Sequence, residues 1–90
     1  MNIVEVEGVY VWIEYEVSAA IERSEQMQVF RNILEPLGLV YSGSGCALGT
    51  GWCDIDFDVP VGTDLHAIRD ALDVDLGFAF VAKPGYLSED

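Results

Sequence analysis

Two segments of the chain alternate apolar and polar residues at every second position, the period of a β-strand with one buried face. They extend from Val9 to Val17 and from Trp52 to Val59. The apolar positions, which we expect to face a core, are Val9, Val11, Ile13, Tyr15 and Val17 in the first segment and Cys53, Ile55, Phe57 and Val59 in the second. The opposite positions are Tyr10, Trp12, Glu14 and Glu16 in the first, and Trp52, Asp54, Asp56 and Asp58 in the second. Each strand therefore has one apolar side and one side that combines tryptophan with carboxylates.

Two other stretches repeat apolar residues at steps of three and four, which is typical of a helix that buries one side. The repeating residues are Met27, Phe30, Leu34 and Leu37 in the first stretch and Leu65, Ile68, Ala71 and Leu72 in the second. We expect Ser18 or Ser24 to cap the first helix, and Pro36 and Gly38 to end it. Thr63 or Asp64 is expected to cap the second helix.

Two further strands complete the predicted order of elements. One runs from Leu39 to Leu48 and is interrupted by glycines, and the other runs from Gly77 to Ala82. The order β-α-β-β-α-β predicts an α+β fold of the ferredoxin-like, split βαβ type, with a four-stranded antiparallel sheet and two helices on one face. In that topology the first and third strands are neighbours. Their tryptophan and carboxylate sides should therefore lie side by side on the open face of the sheet.

The composition is that of one acidic folded domain, residues 1–90. Hydrophobic residues make up 51% of the chain, which excludes a mostly disordered protein. Sixteen acidic residues against four basic ones give a formal charge of −12. Direct binding of nucleic acid needs lysine and arginine to neutralise phosphates, so this charge argues against it. A basic protein surface is the expected partner, and acidity that serves only solubility is the alternative.

The chain has neither a membrane-length apolar run nor the basic start of a signal peptide, so we expect a cytoplasmic protein that does not enter a membrane. Its two cysteines, Cys46 and Cys53, do not make a disulfide framework, and a reducing compartment fits. A directly facing pair could be bridged, whereas a shift of one residue would put the two on opposite faces. We expect them to serve as small buried residues.

The carboxylates could also serve other chemistry. Oxygen ligands suit Mg²⁺ and Ca²⁺, and paired carboxylates can act as general acid and base. Flat strand faces converge poorly on one ion, however, and the sequence offers neither an EF-hand loop nor a nucleophile. We therefore expect no metal, no cofactor and no catalytic residue. Trp12 and Trp52 on an open face would be exposed apolar area, which marks an interaction site. Burial of both in the core through a different register is the alternative.

One stretch resembles a known family. Ile33-Leu34-Glu35-Pro36 followed by Leu39-Val40-Tyr41-Ser42-Gly43-Ser44-Gly45 is similar to the YggL family of small ribosome-associated proteins, in which a helix ends in Glu-Pro before a strand with a Gly-Ser-Gly step. The aromatic strand around Val11-Trp12-Ile13 also looks similar. The resemblance implies the same order of elements and a role on the large ribosomal subunit. Members of that family begin with a Lys/Arg-rich arm, where this chain has Met1-Asn2-Ile3-Val4-Glu5.

These patterns lead to two hypotheses. The first is a non-catalytic acidic protein that occupies the nucleic-acid-binding surface of a basic partner, as anti-CRISPR and anti-restriction inhibitors do by imitating a polyanion. The residues expected to contact the partner are Trp12, Glu14, Glu16, Trp52, Asp54, Asp56 and Asp58. The alternative is a factor associated with the large ribosomal subunit, in contact with basic ribosomal proteins. The oligomeric state is left open by both hypotheses.

Overall fold

The computed structural model describes residues 10–17, 21–47 and 49–85, which form four strands and two helices. The elements in chain order are β1 (Tyr10–Glu16), α1 (Arg23–Leu34), a short 3₁₀ helix (Glu35–Leu37), β2 (Val40–Ala47), β3 (Trp52–Asp58), α2 (Leu65–Leu72) and β4 (Phe80–Gly85). Strands and helices follow one another in the predicted order. Val9, Ser18 and Leu48, which enter the predictions, lie outside the described residues.

The four strands form one antiparallel sheet in the order β2-β3-β1-β4. The predicted pairing of β1 with β3 is confirmed, and it places Val11 opposite Phe57 and Ile13 opposite Ile55. The prediction of an α+β fold with a four-stranded antiparallel sheet and two helices is also confirmed. The strand order is consistent with a ferredoxin-like arrangement.

The apolar sides of β1 and β3 lie in one core with residues of both helices. Its fully buried members include Val11, Ile13, Tyr15, Ile55 and Phe57 from the two strands, and Phe30, Leu34, Ile68 and Leu72 from the helices. The ring centroid of Phe30 lies 5.5 Å from that of Tyr15 and 5.3 Å from that of Phe80. Both helices therefore cover this side of the sheet, and no described element covers the other side, which we call the uncovered side.

Two of the described residues predicted on the apolar sides are exposed. Val17 is 40% exposed because β1 ends at Glu16, and Leu65 is 39% exposed because it is the first residue of α2. The core also includes Gln26, a polar residue that the apolar pattern omitted. Its Nε2 donates a hydrogen bond to the backbone oxygen of Glu16 at 2.9 Å. Gln26 lies one helical turn before Phe30, so the helical period alone would have placed it on the buried side.

The ends of the helices follow from their backbone hydrogen bonds. The prediction of a cap at Ser24 is wrong: the N-cap of α1 is Glu22, whose N–H donates to the carboxylate of Glu25 at 3.3 Å. The carboxylate of Glu25, in the first turn of the helix, thus accepts a hydrogen bond from the backbone N–H of the N-cap residue, and no serine takes this role. Asp64 caps α2 as predicted, since its Oδ1 accepts from two backbone N–H groups at 3.0 and 3.3 Å. Gly38, with a φ of 94°, ends the 3₁₀ helix that follows α1.

The glycines do not divide β2 into two strands, although an irregularity expected at the glycines is present beside the first of them. The strand runs through Gly43 and Gly45 and pairs with β3 along its length. A single register shift, a β-bulge, lies between Tyr41 and Gly43. One extra residue in β2 absorbs the irregularity, so the ladder resumes at Gly43 and continues to Ala47.

β4 lies later in the chain than predicted. It begins at Phe80, because Gly77 has a φ of 85° and so belongs to a turn. It also continues past Ala82, the predicted end, to Gly85. Pro84 is compatible with this strand because β4 lies at an edge of the sheet, where a missing N–H can face away from the ladder.

Cys46 and Cys53 form a disulfide bond, so the prediction of two separate small buried residues is wrong. The two lie directly opposite each other on β2 and β3, and their Cα atoms are 3.9 Å apart. The regular register after the bulge brings them face to face. A disulfide persists in oxidising environments. The cysteines therefore no longer support a cytoplasmic location, which stays a prediction.

Reduction of this disulfide should destabilise the fold. The bridge closes a loop with a sequence separation of 7, and for a loop of that size the chain-entropy relation gives about 2 kcal/mol of stabilisation. Denaturant unfolding with and without reductant measures the difference. The double substitution Cys46→Ser and Cys53→Ser should remove the sensitivity to reductant. Identical unfolding of the unsubstituted chain in both conditions would contradict the structural role of the bridge.

Phe57→Asp should abolish the cooperative thermal transition. It would place a carboxylate in the core beside Val11 and Tyr41, and burying an unpaired charge costs several kcal/mol, comparable with the whole stability of so small a domain. Val61→Asp is the control, because it adds the same charge at a fully exposed valine and should leave the transition in place. A Phe57→Asp protein with an unchanged melt would show that the faces of β3 are reversed.

Candidate protein-binding face

The uncovered side of the sheet carries the tryptophan and carboxylate residues of β1 and β3. We call this set of residues the acidic face: Trp12, Glu14, Glu16, Trp52, Asp54, Asp56 and Asp58. The sequence predicted that they share one side of two adjacent strands, and the burial pattern and strand pairing confirm it. A core position for the tryptophans is excluded, since Trp12 is 37% exposed and Trp52 is partly exposed.

Each tryptophan of the acidic face lies directly opposite a carboxylate of the neighbouring strand. Trp12 lies opposite Asp56, and Trp52 lies opposite Glu16. Directly opposite residues on one side of an antiparallel pair have their Cβ atoms about 5 Å apart. Each tryptophan is therefore next to a carboxylate, so the face offers apolar contact area directly beside charge.

Like charges also meet on this face. Glu14 lies directly opposite Asp54, an arrangement that destabilises a sheet by about 0.2–1 kcal/mol. Lys83 of β4 compensates in part, because its Nζ lies 3.0 Å from Oε1 of Glu14. Both side chains are about half exposed, so the ion pair contributes little to stability. With five carboxylates and Lys83, the described part of this side has a formal charge of −4.

The position of Asp56 disfavours ionisation of its carboxyl group. Burial raises its pKa, repulsion from Asp54 and Asp58 raises it further, and a hydrogen bond with the Ser42 side chain acts in the opposite direction. The residue is partly buried between Trp12 on β1 and a glycine on β2. A positively charged group from a partner would therefore relieve an unfavourable charge at this position.

Two glycines leave the carboxylates of β3 uncovered toward the edge of the sheet. Gly43 lies opposite Asp56, and Gly45 lies opposite Asp54. A Cβ atom at Gly43 would lie 3.5 Å from Oδ1 of Asp56, and one at Gly45 would lie 3.7 Å from Oδ2 of Asp54. Any larger side chain at these positions would begin to cover the carboxylates. This role was not predicted, although two glycines at alternate positions of a strand that precedes an acidic strand can indicate it.

A shallow pocket lies at the hairpin end of the acidic face. It has a volume of about 260 Å³ and is lined by Glu14, Ala47, Thr50, Trp52, Cys53 and Asp54. Its volume falls below the range that is usual for small-molecule sites, about 300–1,000 Å³. Within residues 10–17, 21–47 and 49–85, no group of three or more metal-ligating side chains could hold an ion. Nor does any described helix combine the length and apolar character needed to cross a membrane.

The pKa of Asp56 sets a pH dependence for stability. Because folding raises this pKa, the contribution of Asp56 is fully present below the ordinary value of about 4 and is lost as the pH rises through the raised value. Asp56→Asn should therefore raise the melting temperature at neutral pH, by about 2 to 5 °C. The gain should vanish in acid.

Thermal melts from pH 3 to pH 8 provide the measurement. Asp58→Asn is the matched control, since it removes the same charge at an exposed position on the same strand and should have a smaller effect. An Asp56→Asn protein with an equal gain at every pH would show that ionisation of this residue does not limit stability.

Comparisons with known proteins do not assign this chain to a family. No family description, curated protein or solved structure matches it significantly. The resemblance of Ile33–Gly45 to the YggL family therefore stays a prediction, and the function has to be argued from the acidic face itself.

Proposed function

We propose that this chain is a non-catalytic acidic binding protein whose acidic face occupies a basic, nucleic-acid-binding surface of a partner protein. Inhibitors of the anti-CRISPR and anti-restriction type act in this way, by imitating a polyanion. We also assign the α+β domain to the ferredoxin-like class, since strand order, strand direction and helix placement all agree with it. In this class the open face of the sheet is a common binding surface.

The observation that carries the proposal is the joint occurrence of charge and aromatic area on the uncovered side of the sheet. Successive carboxylates on one strand, such as Asp54 and Asp56, are about 6.7 Å apart along it. This spacing is comparable with that of successive phosphates along one nucleic-acid strand. Trp12 and Trp52 lie beside the carboxylates, as bases lie beside phosphates. Proteins that hold single strands use cationic grooves with aromatic or arginine platforms, to which such a face is complementary.

The alternative is a factor associated with the large ribosomal subunit. The Glu35-Pro36 helix end and the Gly43-Ser44-Gly45 step support it through their resemblance to the YggL family. In the structure, these glycines lie beside Asp54 and Asp56, so the same residues also serve the acidic face. The two functions differ in the partner that each requires.

Capture from a nuclease-treated cell extract separates the two functions. A face-neutralised variant carries Asp54→Asn, Asp56→Asn and Asp58→Asn, and its control carries Asp70→Asn, Asp73→Asn and Asp75→Asn. Both variants lose three charges, but the control positions are exposed residues of α2 and the turn after it. The partner should be captured by the unsubstituted chain and the control and lost by the face-neutralised variant. Recovery of large ribosomal subunits instead would favour the alternative.

Binding to the captured partner should depend strongly on salt. Long-range attraction from the acidic face steers association, so the association rate should fall as salt shortens the screening length to about 10 Å and below. Single-stranded oligonucleotide should compete with this chain for the partner. Salt-insensitive association, together with a ternary complex in which the oligonucleotide stays bound, would contradict mimicry.

Removal of either tryptophan should act mainly on dissociation. Trp12→Ala or Trp52→Ala removes contact area that would be desolvated in the complex, and a hot-spot residue of this kind is worth about 2 kcal/mol, or roughly a thirtyfold faster release. Val74→Ala, at an exposed residue in the turn after α2, is the control. Dissociation rates that neither tryptophan substitution changes would show that the rings lie outside the interface.

A further inference from the structure

The two edge strands of the sheet differ in how well they resist pairing with another strand. β4 carries Lys83 and Pro84, two residue types that discourage strand addition. β2, with the sequence Val-Tyr-Ser-Gly-Ser-Gly-Cys-Ala, has neither a charge nor a proline along its eight residues. Its bulge lies near the start, so the stretch from Gly43 to Ala47 is regular. This stretch is an unprotected edge.

The outward backbone groups of this edge can be assigned. The Cα atoms of Cys46 and Cys53 are 3.9 Å apart, the short distance of a pair that exchanges no backbone hydrogen bonds. The N–H and C=O of Cys46 therefore face away from β3, and by alternation so do those of Ser44. Within the described part of the chain, no strand pairs with this side of β2. Two N–H and two C=O groups are thus positioned to receive a further strand.

The side chains that such a strand would meet are those of the acidic face. An added strand would lie about 10 Å from β3, twice the usual strand separation. Between them, on the uncovered side, lie Gly43 and Gly45, which have no side chains. Long cationic side chains on the added strand could therefore extend across β2 to Asp56 and Asp54.

We propose that β2 accepts an extended segment of the partner in which lysine or arginine alternates with apolar residues. The segment would add a fifth strand through the backbone of Ser44 and Cys46, and its cationic side chains would lie over Gly43 and Gly45 to pair with Asp56 and Asp54. This inference rests on the proposed function, because it names how a basic partner is held. A second copy of this chain is disfavoured as the occupant, since each copy carries a charge of −12.

The test uses two synthetic peptides of eight residues, the length of β2. Both peptides alternate lysine with valine. In one of them the backbone nitrogens of alternate residues are methylated, so this peptide keeps its charge but cannot donate backbone hydrogen bonds along one edge. We expect the unmodified peptide to bind about tenfold more tightly and to slow hydrogen exchange at the amides of Ser44 and Cys46. The N-methylated peptide should bind through charge alone, without protecting these amides.

A pair of variants tests the gap above the glycines. Gly45→Val fills the space beside Asp54 and should weaken the unmodified peptide about tenfold, with little effect on the N-methylated one. Ala79→Val is the control, since it enlarges an exposed residue just before β4, at the opposite edge of the sheet. Equal weakening by both variants would overturn the role of the glycines.

The remaining outcomes are distinguishable. Equal affinity for both peptides, without amide protection, would overturn strand addition while leaving the acidic face as a binding surface. No binding of either peptide would count against the proposed function as well. Slow hydrogen exchange at the amides of Ser44 and Cys46 in the free chain would show that the edge is already occupied. If this protection does not depend on protein concentration, another segment of the same chain occupies the edge; if it does, a second copy of the chain occupies it. Either result would overturn the proposal.

Discussion

The antiparallel pairing of β1 with β3 is the interaction on which the other features of this domain depend. Side chains alternate along each strand, so one register determines both the buried and the uncovered side. On the buried side it joins Val11 with Phe57 and Ile13 with Ile55, and each such side chain contributes about 1.5–3 kcal/mol on burial. On the other side it sets Glu14 against Asp54 at a cost of about 0.2–1 kcal/mol. The core therefore decides the register, and the crowded carboxylates follow from it.

The disulfide and the two glycines adapt β2 to this arrangement. The bond between Cys46 and Cys53 ties the edge strand to β3 on the helix-covered side. Gly43 and Gly45 lie on the uncovered side of the same strand, next to the carboxylates. From Gly43 to Ala47 this edge strand has only small side chains and is weakly held by packing, so a covalent link is a direct way to keep its register. The accessibility of the acidic face from this edge thus depends on both features.

Elements with a regular side-chain period could be predicted from the sequence. The alternation around Ile13 and Ile55 predicted both strands and the sides that face the core, and the order of elements predicted that the strands are neighbours. Local contacts decided what the pattern could not show. The cap at Glu22 depends on a carboxylate three residues later, and the late start of β4 on the conformation of Gly77.

The disulfide and the role of the glycines depend on the register in which β2 pairs with β3. The sequence pattern does not distinguish this register from one shifted by a single residue. Cys46 faces Cys53 only because a bulge after Tyr41 restores the register from Gly43 onward. The pattern of polar and apolar residues does not indicate where this bulge lies. The acidic face could therefore be predicted from single strands, whereas its open edge could be recognised only from the pairing of two.

The two tryptophans of the chain both belong to the acidic face, so their fluorescence reports on that surface alone. Acrylamide quenching, measured during titration with a tryptophan-free lysine peptide, tests most directly whether a basic ligand binds there. Single-tryptophan variants, Trp12→Phe and Trp52→Phe, would assign the signal. Binding of the peptide at the acidic face should give a blue shift and weaker quenching at low salt, and both changes should be reversed at high salt. A bound peptide that leaves the emission and quenching of both tryptophans unchanged would contradict it.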